Sequence, residues 1–205
     1  MNSTEYDTKY LFFIFQRAIS LGVKVILSPT EKVLYENILC SGYFTDKTDP
    51  PTLAVATKRP DWILIFLHES QHMEQWSEKL SPKGIELWNR SKIAWDFITE
   101  WLDGKEIDDI SDHIDIAQHL EIDCEKRTVK ILNQMKIPIL RYIQNCNSYL
   151  LYYPYMKAYR KWYSKPPYDF KELVDMMPEH FLSLRQYKQL PRYYEKFILS
   201  IEKEK

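Results

Sequence analysis

Glycine is scarce in this chain, four residues in 205. A loop-rich all-β fold that turns on repeated left-handed glycine positions is therefore disfavoured. Cysteine is also scarce. Cys40, Cys124 and Cys146 are an odd number with no Cys-x-x-Cys pair. That excludes a disulfide framework and points to a reducing compartment. Long apolar runs are missing too. Leu11–Phe15 is broken at once by Gln16 and Arg17, too short for a membrane span or the core of a secretion signal, and MNSTEYDTKY carries no basic leader. The expectation is a soluble, intracellular (cytoplasmic) protein without a membrane partner, a viral or virion-associated setting being compatible with it. Finally, the chain lacks an excess of either charge: 28 Lys+Arg against 29 Asp+Glu. Arg160-Lys161-Trp162 and Lys188 are too few to argue for nucleic acid, and no nucleic-acid partner is expected.

What is present is an ordinary globular composition, 45% hydrophobic and 28% charged, with 15% aromatic residues that favour helices. Tyr6, Tyr10, Phe13, Ile14, Arg17 and Ala18 recur at helical spacing over 4–20, with Gly22 as the stop. Val23–Leu27 predicts a strand, Thr30–Leu39 a short helix capped by Thr30, and 40–44 and Thr52–Thr57 two further strands. Pro60-Asp61 opens a long helix, which Ser81–Gly84 breaks. Residues 85–103, stopped by Gly104, and 113–135, ending before Pro138, predict two more. The remainder is helical in tendency, punctuated by proline and dense in tyrosine. Tyr149, Tyr153 and Met156 lie at helical spacing, which favours core packing over a catalytic hydroxyl. The fold class expected is α+β: a small, mostly antiparallel sheet over one long helix. The division expected is a domain at 1–138 and a helical extension at 139–205.

His68-Glu69-Ser70-Gln71-His72 carries the chemistry. Positions i and i+4 lie one turn apart on one face of a helix, so two imidazoles there can converge on one ion. Zinc takes nitrogen ligands at about 2.0–2.1 Å in tetrahedral geometry. Glu69 is near such an ion but off the ligand line, where a general base belongs. A chance pair of histidines is the competing explanation. The apolar turn 63–67 before the motif, which would bury this helix, weighs against it.

The third ligand separates the classes. A metzincin would continue with Gly at 75 and His at 78, where this chain has Gln75 and Glu78. A later helix offers Glu121-Ile-Asp-Cys124-Glu125-Lys-Arg-Thr128, with the two acids one turn apart and small residues at 124 and 128. This segment resembles the Glu-x-x-Ala-Asp-x-x-Ala signature of gluzincin zinc metallopeptidases, with Glu for Asp at 125 and Cys for Ala at 124. The whole chain resembles, more faintly, small metallopeptidase-like proteins of phage genomes. The resemblance implies a zincin-like fold, Zn²⁺ held by His68, His72 and Glu121, and Glu125 orienting a zinc-bound histidine by accepting its other ring N–H. Glu125, His113, His119 and Glu78 stay open as alternative third ligands. Cys124 more simply fills a small-residue slot.

The resemblance further implies hydrolysis of an amide bond in a peptide or protein substrate, with Glu69 as base. The substrate would add to an edge strand beside the helix, for which 52–57 is the candidate through Ala54, Val55 and Ala56. The alternative is a catalytically silent zincin fold, a structural or binding component holding a structural metal. Hydrolysis of some other substrate class, such as cell-wall cross-links, is a third option.

Overall fold

The computed structural model describes residues 8–78, 86–161, 169–188 and 195–199. The start of the first predicted helix, the break at 81–84 and the tyrosine at 163 lie outside them. The class is α+β. The chain forms two compact units, 1–85 with 130–136, and 86–129 with 137–205, a partition that differs from a division at residue 138. Among the described residues no helix is long and apolar enough to cross a membrane.

In the first unit, α1 (Thr8–Ser20) leads into β1 (Lys24–Ser28), β2 (Val33–Tyr35), β3 (Ile38–Cys40), β4 (Gly42–Thr45), β5 (Thr52–Ala56) and α2 (Trp62–Glu78). Gly22 stops α1 as expected. At φ 69° it bonds back to the carbonyl of Ile19 at 3.0 Å, while Val23 N–H reaches Ala18 at 2.9 Å. This is the six-to-one and five-to-two pattern that a residue without a β-carbon closes at no steric cost.

Two sequence expectations are overturned here. Residues 30–39 are not a helix. Val33↔Cys40 and Tyr35↔Ile38 pair as an antiparallel hairpin. Its two turn residues, Glu36 and Asn37, both have positive φ (44° and 68°), the mirror-image turn that matches strand twist. Secondly, β5 is not an edge strand. It pairs in parallel with β1 (Ala54↔Ile26, Val55↔Leu27) and antiparallel with β4 (Ala54↔Tyr43, Val55↔Gly42), giving the order β1-β5-β4. Ala54, Val55 and Ala56 therefore have no free ladder edge for a substrate strand. All five β5 residues are buried, as a central strand demands. The three-stranded sheet is mixed, with its parallel pair joined by a long crossover. α2 packs on β4 and β5. Ile63, Phe66, Leu67 and Met73 of α2 are buried, each worth about 1.5–3 kcal/mol of transfer free energy.

The second unit contains α3 (Glu86–Leu102), most of α4 (Ile110–Gln134), α5 (Leu140–Tyr149), α6 (Tyr152–Tyr159), α7 (Lys171–Asp175) and α8 (Leu184–Lys188). The last turn of α4 belongs with the first unit. One core joins Ile98, Trp101, Ile114, Ala117, Leu151, Tyr153, Met156 and Phe197, so part of the tyrosine run is packing, as the periodicity predicts. Pro154 sits in the first turn of α6, where its missing N–H has no intrahelical partner to lose. Asn147 is fully buried. Its Nδ2 donates to the carbonyls of Pro178 (2.8 Å) and His180 (2.9 Å), and its Oδ1 accepts from the Tyr187 hydroxyl.

Candidate metal centre

In the first unit the His68–His72 motif is carried by α2. His68 and Glu69 are half-buried, and His72 is 8% exposed. The two rings meet edge to face, centroids 4.8 Å apart and planes at 85°, as two side chains one turn apart on a helix should. Nδ1 of His72 lies 2.8 Å from Oε1 of Gln75. An amide oxygen only accepts, so Nδ1 carries the hydrogen and Nε2 keeps its lone pair. Nε2 of a neutral imidazole is a nitrogen of the kind that ligates metals. Gln75 itself is 3% exposed.

Glu69 stands against β4. Gly42 there has no room for a β-carbon, which would meet Cγ2 of Ile65 at 2.6 Å, the Ala54 carbonyl at 3.1 Å and Cγ of Glu69 at 3.2 Å. Glycine at this position lets the strand lie directly on the motif's helix. Cys40, just before it, donates its thiol to the Val33 carbonyl at 3.7 Å. Burial, and then the negative charge of Glu69, push that thiol up to about 11.

On another side of α2 the first unit encloses a cavity of about 250 Å³ between α1, α2 and the end of α4. Tyr10, Ile14, Arg17, Gln71, Glu74 and Ile131 are among its walls. Arg17 and Glu74 form a bidentate ion pair there at 2.9 and 3.0 Å. Neither His68, Glu69 nor His72 lines this cavity.

In the second unit, α4 presents the predicted acidic turn. Glu121 is half-buried, Cys124 and Thr128 are fully buried, and Glu125 is 6% exposed. The small residues at 124 and 128 thus lie on a buried face, and Thr128 Oγ1 donates to the Cys124 carbonyl at 3.0 Å. Tyr142 donates its hydroxyl to Glu125 at 2.6 Å, and the Cys146 thiol also bonds that carboxylate. Burial first, and the Glu125 charge second, hold both Tyr142 and Cys146 well above their ordinary ranges. The hydroxyl of Tyr153 is buried without a hydrogen-bond partner among the described residues, and burial and then the charge of Glu121 push its ionisation up.

Of the lesser candidates, His113 stacks on Phe97 at 4.5 Å and His119 is exposed. Gln75, Gly42 and Cys40 are features the sequence reading did not assign to the site. Gln75 had one available signal, a polar residue one turn past His72 on the buried stripe of an amphipathic helix. No protein-family model, no curated protein and no solved structure matches the chain.

Proposed function

We propose that this chain is a zinc-dependent hydrolase of zincin-like fold that cleaves amide bonds in peptides or proteins. The observation that carries the reading is the helical turn 68–72. Two imidazoles stand together at 4.8 Å, one with its Nδ1 already engaged, and Glu69, next to the first in sequence, lies with its Cγ against a close-packed strand.

The third donor is assigned to α4. Cys124 of α4 would suit zinc as the third donor, since zinc binds imidazole and thiolate alike. Glu121, which the gluzincin resemblance favours, is the competing third donor.

When bound, the ion supplies Lewis-acid polarisation of a carbonyl and acidifies water. Glu69 takes the proton of the attacking water and delivers it to the leaving amine. An extended substrate backbone adds to β4, the sheet edge beside α2, in place of the doubly paired β5.

Chelator-sensitive cleavage of a mixed peptide library tests the activity. Glu69→Gln should abolish turnover with zinc content kept near stoichiometric, and His68→Ala should lose both. Zinc content of Cys124→Ala against Glu121→Ala sorts the third donor. A second reading, a silent fold holding a structural metal, is favoured by the burial of both His72 and Cys124. Full zinc loading with no cleavage of any peptide would select it.

A further inference from the structure

We propose that Gln75 is a positioning residue, fixing the ring and tautomer of His72 so that Nε2 is the nitrogen presented to the metal. The inference rests on the metal-binding reading for its consequence, though not for its geometry.

A neutral imidazole has one N–H and one lone pair, and the hydrogen bond made by one nitrogen decides which the other keeps. At His72 the partner is the Oε1 of Gln75, 2.8 Å from Nδ1. Both residues belong to α2, three positions apart, so their relative placement is set by helix geometry alone. Both are buried, at 8% and 3% exposure. The packing that buries Gln75 limits its rotamers, and a fixed acceptor in turn limits rotation of the ring.

The chemistry of the acceptor matters. Metal-bound histidines commonly give their other N–H to a carboxylate or a backbone carbonyl. A side-chain amide orients the ring as well as a carboxylate does, but adds no negative charge. Gln75 therefore fixes direction while leaving His72 a weaker base than an aspartate or glutamate partner would.

The experiment has two arms. Long-range ¹H–¹⁵N correlation of the histidine rings in the metal-free protein, at a pH where they are neutral, reads the tautomer of His72. The expected result is Nδ1–H in the wild type and in Gln75→Glu, with a mixed population in Gln75→Met, which keeps the volume and removes the acceptor. Zinc affinity by competition with a chromogenic chelator is the second arm. Gln75→Met should bind about 10–100-fold more weakly, the usual effect of losing such a partner, and Gln75→Glu should restore or exceed wild-type affinity. An Nε2–H tautomer at His72 in the wild type, an unchanged tautomer in Gln75→Met, or equal weakening in both variants would overturn the proposal. Absence of zinc binding by the wild type would instead remove the metal reading, and the ring spectra would still decide whether Gln75 sets the tautomer.

Discussion

Gly42 and Glu69 are separated by so little space that a β-carbon on the glycine would sit 3.2 Å from Cγ of the glutamate. The same added carbon would lie 2.6 Å from the Ile65 side chain and 3.1 Å from a β5 carbonyl. The strand and the helix that carries the proposed base are thus held at a distance that only glycine allows.

Gly42→Ala should lower stability by about 1–3 kcal/mol, the usual cost of forcing atoms into a packed contact. Because β4 must move off α2 to admit the methyl group, peptide cleavage should fall further than the loss of folded protein explains. Urea denaturation together with the specific activity of the folded fraction separates the two effects.

Cys40 offers a solution reporter of Glu69. Cys124 and Cys146 are buried, whereas Cys40 is partly accessible. Alkylation of the folded, metal-free protein by iodoacetamide should be slow at pH 8 and rise with an apparent pKa of about 11, against an ordinary 9.0. Glu69→Gln should shift that profile to lower pH, since the glutamate's charge is the second cause of the rise. The raised value contributes stability that is complete below pH 9.0 and lost as pH climbs through about 11. A profile unmoved by Glu69→Gln would contradict the described proximity.

Two tyrosines on buried carboxylate-bearing ground should respond oppositely to loss of the hydroxyl. Tyr142→Phe removes the donor to Glu125, and about 1.5–3 kcal/mol of stability should go with it. Tyr153→Phe removes a buried hydroxyl that has no partner among the described residues, so it should be neutral or stabilising by up to about 1 kcal/mol. Thermal melts of the two variants at pH 7 give the comparison. Since both phenols, and that of Tyr187, are held above their ordinary value, the stability of the wild type should also decline progressively as pH rises above about 10.

Asn147→Ala should cost about 3 kcal/mol, because two carbonyls and a tyrosine hydroxyl lose a buried partner at once. The Tyr187 ring should gain solvent exposure, and limited proteolysis should cut between Pro178 and Tyr187 faster than in the wild type.

The helices were readable because their signals are local. Glycine stops at 22 and 104 adopt the left-handed backbone expected of them, and α2, α3 and α4 begin and end within a few residues of their apolar periodicity. The sheet was less readable because strand order depends on pairing between distant segments. Nothing in Thr52–Ala56 alone distinguishes a central strand from an edge, although its unbroken apolar run is what a doubly covered strand carries. The 33–40 hairpin was missed because Val33, Leu34 and Ile38 fit a helical face as well as a strand, and Glu36-Asn37 is a weaker turn signal than Asn-Gly. At the site, the imidazole pair follows from spacing alone. The Gln75 contact required side-chain directions, which periodicity does not supply.

The rings of His68 and His72, the carboxylate of Glu69 and the amide of Gln75 are all supplied by residues 68–75 of α2, about two turns of helix. No chain closure is needed to bring them together, so this apparatus is transplantable. An unrelated amphipathic helix given these eight positions in register would inherit the paired imidazoles with one nitrogen already committed, and only the remaining ligand would have to be found in the new host.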